Sequence, residues 1–381
     1  MALIVLLIYV LFRSIFIFLP ELQFRLQNSM TRFLFSILFL FSCILLSAQT
    51  GGQHIWAFLN TPVTSRITAL GGQQISIFDD DVSLVHFNPS LLNSSMSNHL
   101  SLSYADYLAD IRYDYITYAR TFNNIGNFGL GIHHIDYGEF KETDVYGNIL
   151  GTFNHVYDYS INAFYSRPIL DSLLQIGGTL KAIGSKYEYW NAFGLALDAG
   201  ITYHNPERLF TAALVMKNLG RQINTYYRGA DHEPLPFEIQ LGISQKLKHA
   251  PFRFSILARN LETPNLQYET EEEQADNTDP FTGEATKENK LASFGDNMMR
   301  HVVFGLEFLP LKSFSFRIGY NYRRREELKI PDKTGAAGFS WGFGLKIYKF
   351  HINYARARYH LAAVTNHFTL SINLNEFSNK Y

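Results

Sequence analysis

Residues 193–202 read FGLALDAGIT. In an extended chain successive side chains point to opposite sides. Phe193, Leu195, Leu197, Ala199 and Ile201 therefore share one face, and Gly194, Ala196, Asp198, Gly200 and Thr202 the other. The same alternation recurs from Asn98 onward. Tyr157, Tyr159, Ile161, Ala163 and Tyr165 oppose Asp158, Ser160 and Asn162. Phe339, Trp341, Phe343, Leu345 and Ile347 oppose Ser340, Gly342, Gly344 and Lys346, and Phe368, Leu370 and Ile372 oppose Thr369, Ser371 and Asn373. Period-two patterning predicts strands with one face in an apolar medium.

The charges show which face that is. Asp158, Lys181, Asp198, Glu238, Arg253, Glu307 and Arg317 all fall on the small, polar face, and the opposite face is almost uncharged. A soluble β-sandwich alternates for the same reason, but a run this long without a helix suits a closed barrel, which has no sheet edges. The fold class read here is all-β: a transmembrane antiparallel β-barrel of about fourteen strands, an even number as single-chain bacterial barrels have. Predicted strands include 192–204, 209–219, 252–262 and 314–325.

Alternate links are tight, among them NNIG, NPER, KHAP and PLKS, and most of the others are long: 138–154, 220–235, 263–299 and 326–335. Short periplasmic turns and long outside loops are the expected asymmetry of an outer-membrane barrel. Tyr and Trp gather at strand ends, as at Tyr187, Tyr189 and Trp190, where interfacial girdles lie.

Ahead of the strands, residues 67–92 read ITALGGQQISIFDDDVSLVHFNPSLL. Gly71 and Gly72 supply backbone conformations that other residues resist. Pro89 pushes Asn88 out of the helical region. Ser65 to Leu70 reads as a turn of helix capped by Thr64 and ended by Gly71. The acidic triplet Asp79, Asp80 and Asp81 invites a cation, but three consecutive acids do not point one way, and capping or turn formation is the better reading. The segment is expected to be a compact plug inside the barrel, with Gly71, Gly72, Asp79, Asp80, Asp81, Asn88 and Pro89 as its motif.

Residues 30–48 have a positive start, an apolar core and Ala48 at a cleavage point before Gln49, the parts of a secretory signal peptide. The expected organisation is 1–48 as upstream extension plus signal peptide with translation from Met30, 49–97 as plug, and 98–381 as barrel. The one cysteine, Cys43, lies in the removed part, and a formal net charge of −1 gives no case for nucleic acid. Thirteen histidines are scattered without ligand spacing. His133 and His134 are strand neighbours and face opposite sides. There is no nucleophile elbow. No catalytic residue, metal or cofactor is expected.

A plug with an Asn-Pro-small-x-Leu element (Asn88 to Leu92) ahead of about fourteen strands resembles the outer-membrane long-chain fatty-acid transporters and their relatives. Within that superfamily, Phe58 to Val63, Ala69 to Gly72 and Asp79 to Leu92 are similar to the PorQ barrels of the type IX secretion system of Bacteroidota. That resemblance implies a non-enzymatic anchor in outer-membrane lipid. It would hold a PorZ-like surface protein, with a PorU-like protease and a PorV-like barrel in the same complex, while cargo is joined to lipopolysaccharide. The alternative is a transporter of hydrophobic small molecules. If a partner binds, the long loops offer Tyr146, Tyr226, Tyr227, Arg228 and Phe281, since Tyr and Arg are favoured interface anchors.

Overall fold

A computed structural model describes residues 54–153, 156–169, 173–267, 290–328, 336–359 and 364–378. The predicted leader, residues 1–48, and Phe281 lie outside the described residues.

The strands, in chain order, are β1 (His99–Asp106), β2 (Arg112–Phe122), β3 (Gly126–Asp136), β4 (Phe140–Thr143) and β5 (Ile149–Phe153). Next come β6 (Val156–Ile169), β7 (Leu174–Tyr187), β8 (Trp190–Asn205), β9 (Phe210–Asn224), β10 (Glu238–Lys246) and β11 (Phe252–Ala258). The series ends with β12 (Val302–Leu311), β13 (Phe314–Asn321), β14 (Phe339–Ile347), β15 (Phe350–Ala357) and β16 (Thr365–Asn373). Fourteen of these pair antiparallel with their chain neighbours, and β1 pairs with β16 from His99↔Asn373 to Asp106↔Asn366, which closes the barrel. β4 and β5 stand apart as a two-stranded hairpin in the β3–β6 loop.

The barrel is inverted relative to a soluble one. On β8, Leu195, Leu197 and Ile201 are exposed, while Ala196, Asp198 and Thr202 are buried. On β3, Leu130 and Ile132 point outward and His133 is wholly enclosed. The same holds for Phe339 and Trp341 against Ser340, and for Phe368 and Leu370 against Thr369. So large a continuous apolar outer surface is stable only in lipid. The inward charges Asp158, Lys181, Asp198, Glu238, Glu307 and Arg317 are all buried, as the alternation predicts.

Several boundaries differ from the sequence reading. β8 starts at Trp190, so β7 and β8 join through a two-residue turn. β9 runs on to Asn224, because a bulge restores its pairing: Leu197↔Leu219 is followed by Ala199↔Met216, with Lys217 and Asn218 both opposite Asp198. The predicted strand 314–325 ends at Asn321, whose side chain accepts from the backbone N–H of Arg324 and starts a short helix, Tyr322–Glu327. β11 stops at Ala258. A second helix, Lys290–Arg300, lies in the β11–β12 loop.

The lumen holds residues 54–98. Short helical turns follow one another: Ala57–Asn60, Ser65–Ala69, Val82–His86, Pro89–Leu91 and Ser94–Met96. Leu59, Ile67, Leu70, Ile75, Leu84 and Leu91 have no exposed surface at all. Helix Ser65–Ala69 ends in a Schellman motif: Gly72 N–H donates to Ile67 O at 2.9 Å and Gly71 N–H to Thr68 O at 3.3 Å. Both glycines have positive φ, 96° and 92°, and the motif requires it of Gly71. Thr64 precedes the helix in extended conformation but makes no side-chain cap, contrary to the capping expected of it.

Candidate functional site: the plug and its seat

Arg66 is the only Lys or Arg between Gln49 and Asn98. Its five N–H groups are the most a guanidinium has to give, and the plug and wall take up all of them. Nε and Nη2 donate to the two oxygens of Glu307 on β12 at 3.0 and 3.2 Å. Nη1 and Nη2 donate to Asp79 at 3.1 and 2.7 Å, and Nη1 also reaches Asp81 at 3.0 Å. From the wall, Arg253 on β11 donates to Asp79 and Glu307 at 3.0 and 2.8 Å, and Arg317 on β13 to Glu307 at 2.9 Å. Three arginines and three carboxylates thus neutralise one another between plug and barrel. Burial alone would raise the Asp79 carboxyl, but Arg66 and Arg253 override it and hold that group well below the usual carboxylate range.

The acidic triplet divides its work. Asp79 is an ion-pair partner. Asp81 also starts the Val82–His86 turn, accepting from Ser83 N–H at 3.1 Å. Asp80 is exposed, and its carbonyl meets His99 Nδ1 at 2.9 Å. Below this network a cavity of about 560 Å³ opens at the short-turn rim, lined by Arg66, Asp81, His99, Lys246, Arg317 and His351 among others.

Asn88 and Pro89 sit against β7 and β8. Asn88 Nδ2 donates to Ile75 O and Thr202 Oγ1 at 2.8 and 3.0 Å, and its Oδ1 accepts from Ser90 N–H at 2.9 Å. Gly177 and Gly200 leave the room: a Cβ on either would come within 2.4 Å of Pro89 C or Asn88 Oδ1. Gly71 packs the same way on Gly319, and its N–H donates to Ser340 Oγ at 3.0 Å. Gly72 lies under Arg324, whose guanidinium stacks on the Tyr359 ring at 4.0 Å.

The other half of the plug is apolar. Ile55, Trp56, Phe58 and Leu59 pack with Ile135, Ile183, Ala192, Ala196 and Leu235, bordered by Ile111, Tyr113, Tyr137 and Tyr226. These wall residues lie toward the long-loop rim. Few polar bonds hold this end: Ile55 N–H to Pro234 O, Trp56 Nε1 to Ser185 Oγ, Asn60 Nδ2 to Pro236 O, and Asn218 Nδ2 to Asn60 Oδ1. Trp56 adopts a positive φ of 57°, a strained state for a bulky residue.

The loop residues named from sequence separate. Tyr146 is 87% exposed at the tip of the β4–β5 hairpin. Tyr227 is exposed and edges onto Trp190, and Arg228 is exposed beside it. Tyr226 turns inward instead and meets the Tyr187 ring at 5.2 Å, tilted by 52°, so it borders the apolar cluster. Sequence reasoning missed Arg66, Asn60 and the Lys217–Asn218 bulge. Arg66 had a signal, a lone base upstream of three acids; the bulge had none.

A closed fourteen-strand barrel with an apolar outer face, polar inner face and internal plug defines a plugged transmembrane β-barrel of the outer-membrane type. No family model matches the chain, and no curated protein matches it. Among solved structures it is similar to the TodX monoaromatic hydrocarbon channel deltaS2 mutant, with 12% identity, a TM-score of 0.43, and coverage of 82% of this chain and 97% of that one. It is similar also to a Pseudomonas aeruginosa FadL homologue, with 10% identity, a TM-score of 0.45, and coverage of 82% and 98%. A Rhodopseudomonas blastica porin triple mutant matches with 7% identity, a TM-score of 0.28, and coverage of 72% and 97%. The barrel assignment rests on strand register and on the inverted faces.

Proposed function

We propose that this barrel admits hydrophobic small molecules from the outside, with the plug as its gate. The observation that carries the reading is the apolar chamber toward the long-loop rim, filled by Ile55 to Leu59 of the plug itself. The filler is tied by few hydrogen bonds and is strained at Trp56, whereas the other half of the plug is held by a six-charge network. An apolar ligand that takes the place of Ile55–Leu59 regains the same burial, at roughly 25 cal/mol per Å² of apolar area. The test uses Trp56 as reporter. Trp190→Phe/Trp341→Phe leaves Trp56 as the single tryptophan, since the chain has three. Titrating this variant in nanodiscs with a small aromatic hydrocarbon should shift Trp56 emission saturably. A purely linear, partition-like response, unchanged by Ile183→Arg, would remove the transport reading.

A second reading is an anchor of the PorQ kind, in which the barrel holds a PorZ-like surface protein together with a PorU-like protease and a PorV-like barrel near lipopolysaccharide. It is favoured by the β4–β5 hairpin. Asp144 fixes its tip by accepting from Tyr146 N–H, Asn148 N–H and Asn148 Nδ2 at 2.8–2.9 Å. Val145 and Tyr146 are thereby displayed at 93% and 87% exposure.

A further inference from the structure

His86 closes the Val82–His86 turn of the plug and is wholly buried. Its ring lies 5.3 Å from that of His133 on β3, at 87°, and 4.9 Å from that of Tyr115 on β2. Both nitrogens of both imidazoles lack a hydrogen-bond partner. The charged groups facing the pair are Lys181 on β7 and Lys217 on β9. The nearby carboxylates are engaged elsewhere: Asp198 pairs with Lys181 at 2.7 Å and Glu238 with Arg259 at 2.9 Å. Lys217 lies over the Phe87 ring at 5.3 Å. His134 points outward, toward Asp114. Among the described residues no carboxylate comes within salt-bridge distance of either buried ring. The contact therefore joins plug to wall through two imidazoles that fit only uncharged.

We propose that the His86–His133 contact is an acid-sensitive latch: protonating these rings sets like charges against each other and against Lys181 and Lys217, and loosens the plug from β2 and β3. It rests on the fold and is independent of the cargo proposed above.

The direction follows from linkage. Burial, then His133, Lys181 and Lys217, hold the His86 imidazole well below its ordinary value. A base depressed in the folded state contributes its full stability above the unfolded value of about 6.5 and loses it as pH falls below that. Each such ring shifts the closed-to-open ratio by up to about tenfold per pH unit, and two by up to about a hundredfold. Asp79, held down by Arg66 and Arg253, keeps its charge throughout this window.

The experiment is conductance of the mature protein in planar bilayers between pH 7.5 and 5, paired with hydrogen exchange of residues 82–92. Wild type should open more often below about pH 6, with a slope above one proton, and His86→Phe/His133→Phe should stay flat. A flat wild type, or a double variant with the wild-type rise, overturns the proposal. If the double variant does not insert, His86→Gln decides: its slope should fall to tenfold per pH unit or less, and an unchanged slope overturns the latch.

Discussion

Arg66 of the plug and Glu307 of the wall form a two-bond ion pair, at 3.0 and 3.2 Å, with both side chains almost wholly enclosed. The pair connects residues 241 positions apart. It is the point where the plug is tied most firmly, because Glu307 is also gripped by Arg253 and Arg317.

Removing one member leaves buried charge without compensation, which costs about 3–5 kcal/mol. Arg66→Met should therefore lower thermal stability and raise leak conductance. Arg66→Met/Glu307→Gln should recover part of the loss, since it deletes one charge of each sign. A double-mutant cycle read by heat denaturation checks this. Single variants that melt like the parent and stay closed would show that the network does not hold the plug.

Gly177→Val tests the seat of Asn88 and Pro89. The new Cβ would fall 2.4–2.5 Å from the Pro89–Ser90 backbone, so that turn must move. The expected loss is about 1–3 kcal/mol, with faster proteolysis in the Asn88–Pro89 turn. Gly178→Val is the control, because a Cβ there meets only Asp198 O, at an ordinary 3.5 Å. Equal behaviour of the two variants would contradict the packing described.

Replacing residues 139–153 by a short turn separates the two functional readings. The hairpin shares no ladder with the barrel, so folding and melting should stay within about 0.5 kcal/mol of the parent. If the barrel is an anchor, fractionated cells should lose a surface protein that the Gly177→Val barrel still retains. If it is a transporter, both barrels should keep the same surface proteins, and only the lumen variant should change uptake of an apolar probe.

The barrel was legible in residues 193–202 and their repeats because lipid imposes a simple rule: apolar side chains out, polar side chains in, every second residue. Strand number, pairing order and the lumen-facing charges follow from that rule and from alternating short and long links. Gly71, Gly72, Asn88 and Pro89 were readable for a related reason, since each constrains its own backbone whatever surrounds it. What depended on distant neighbours was not readable. Asp79, Asp80 and Asp81 are adjacent and chemically alike, yet one pairs with two arginines, one faces solvent and one both meets Arg66 and caps a turn, as the folded plug aims each. The extension of β9 hinges on Asn218 adopting a φ of 57° so that its N–H meets Asp198 at 2.7 Å. His86 and His133 are 47 positions apart and meet only because the plug turn lies against β3. Local patterning thus set the wall and the plug's turns, and tertiary packing alone decided which plug residues lock onto which strands, because those contacts join residues that no short-range rule relates.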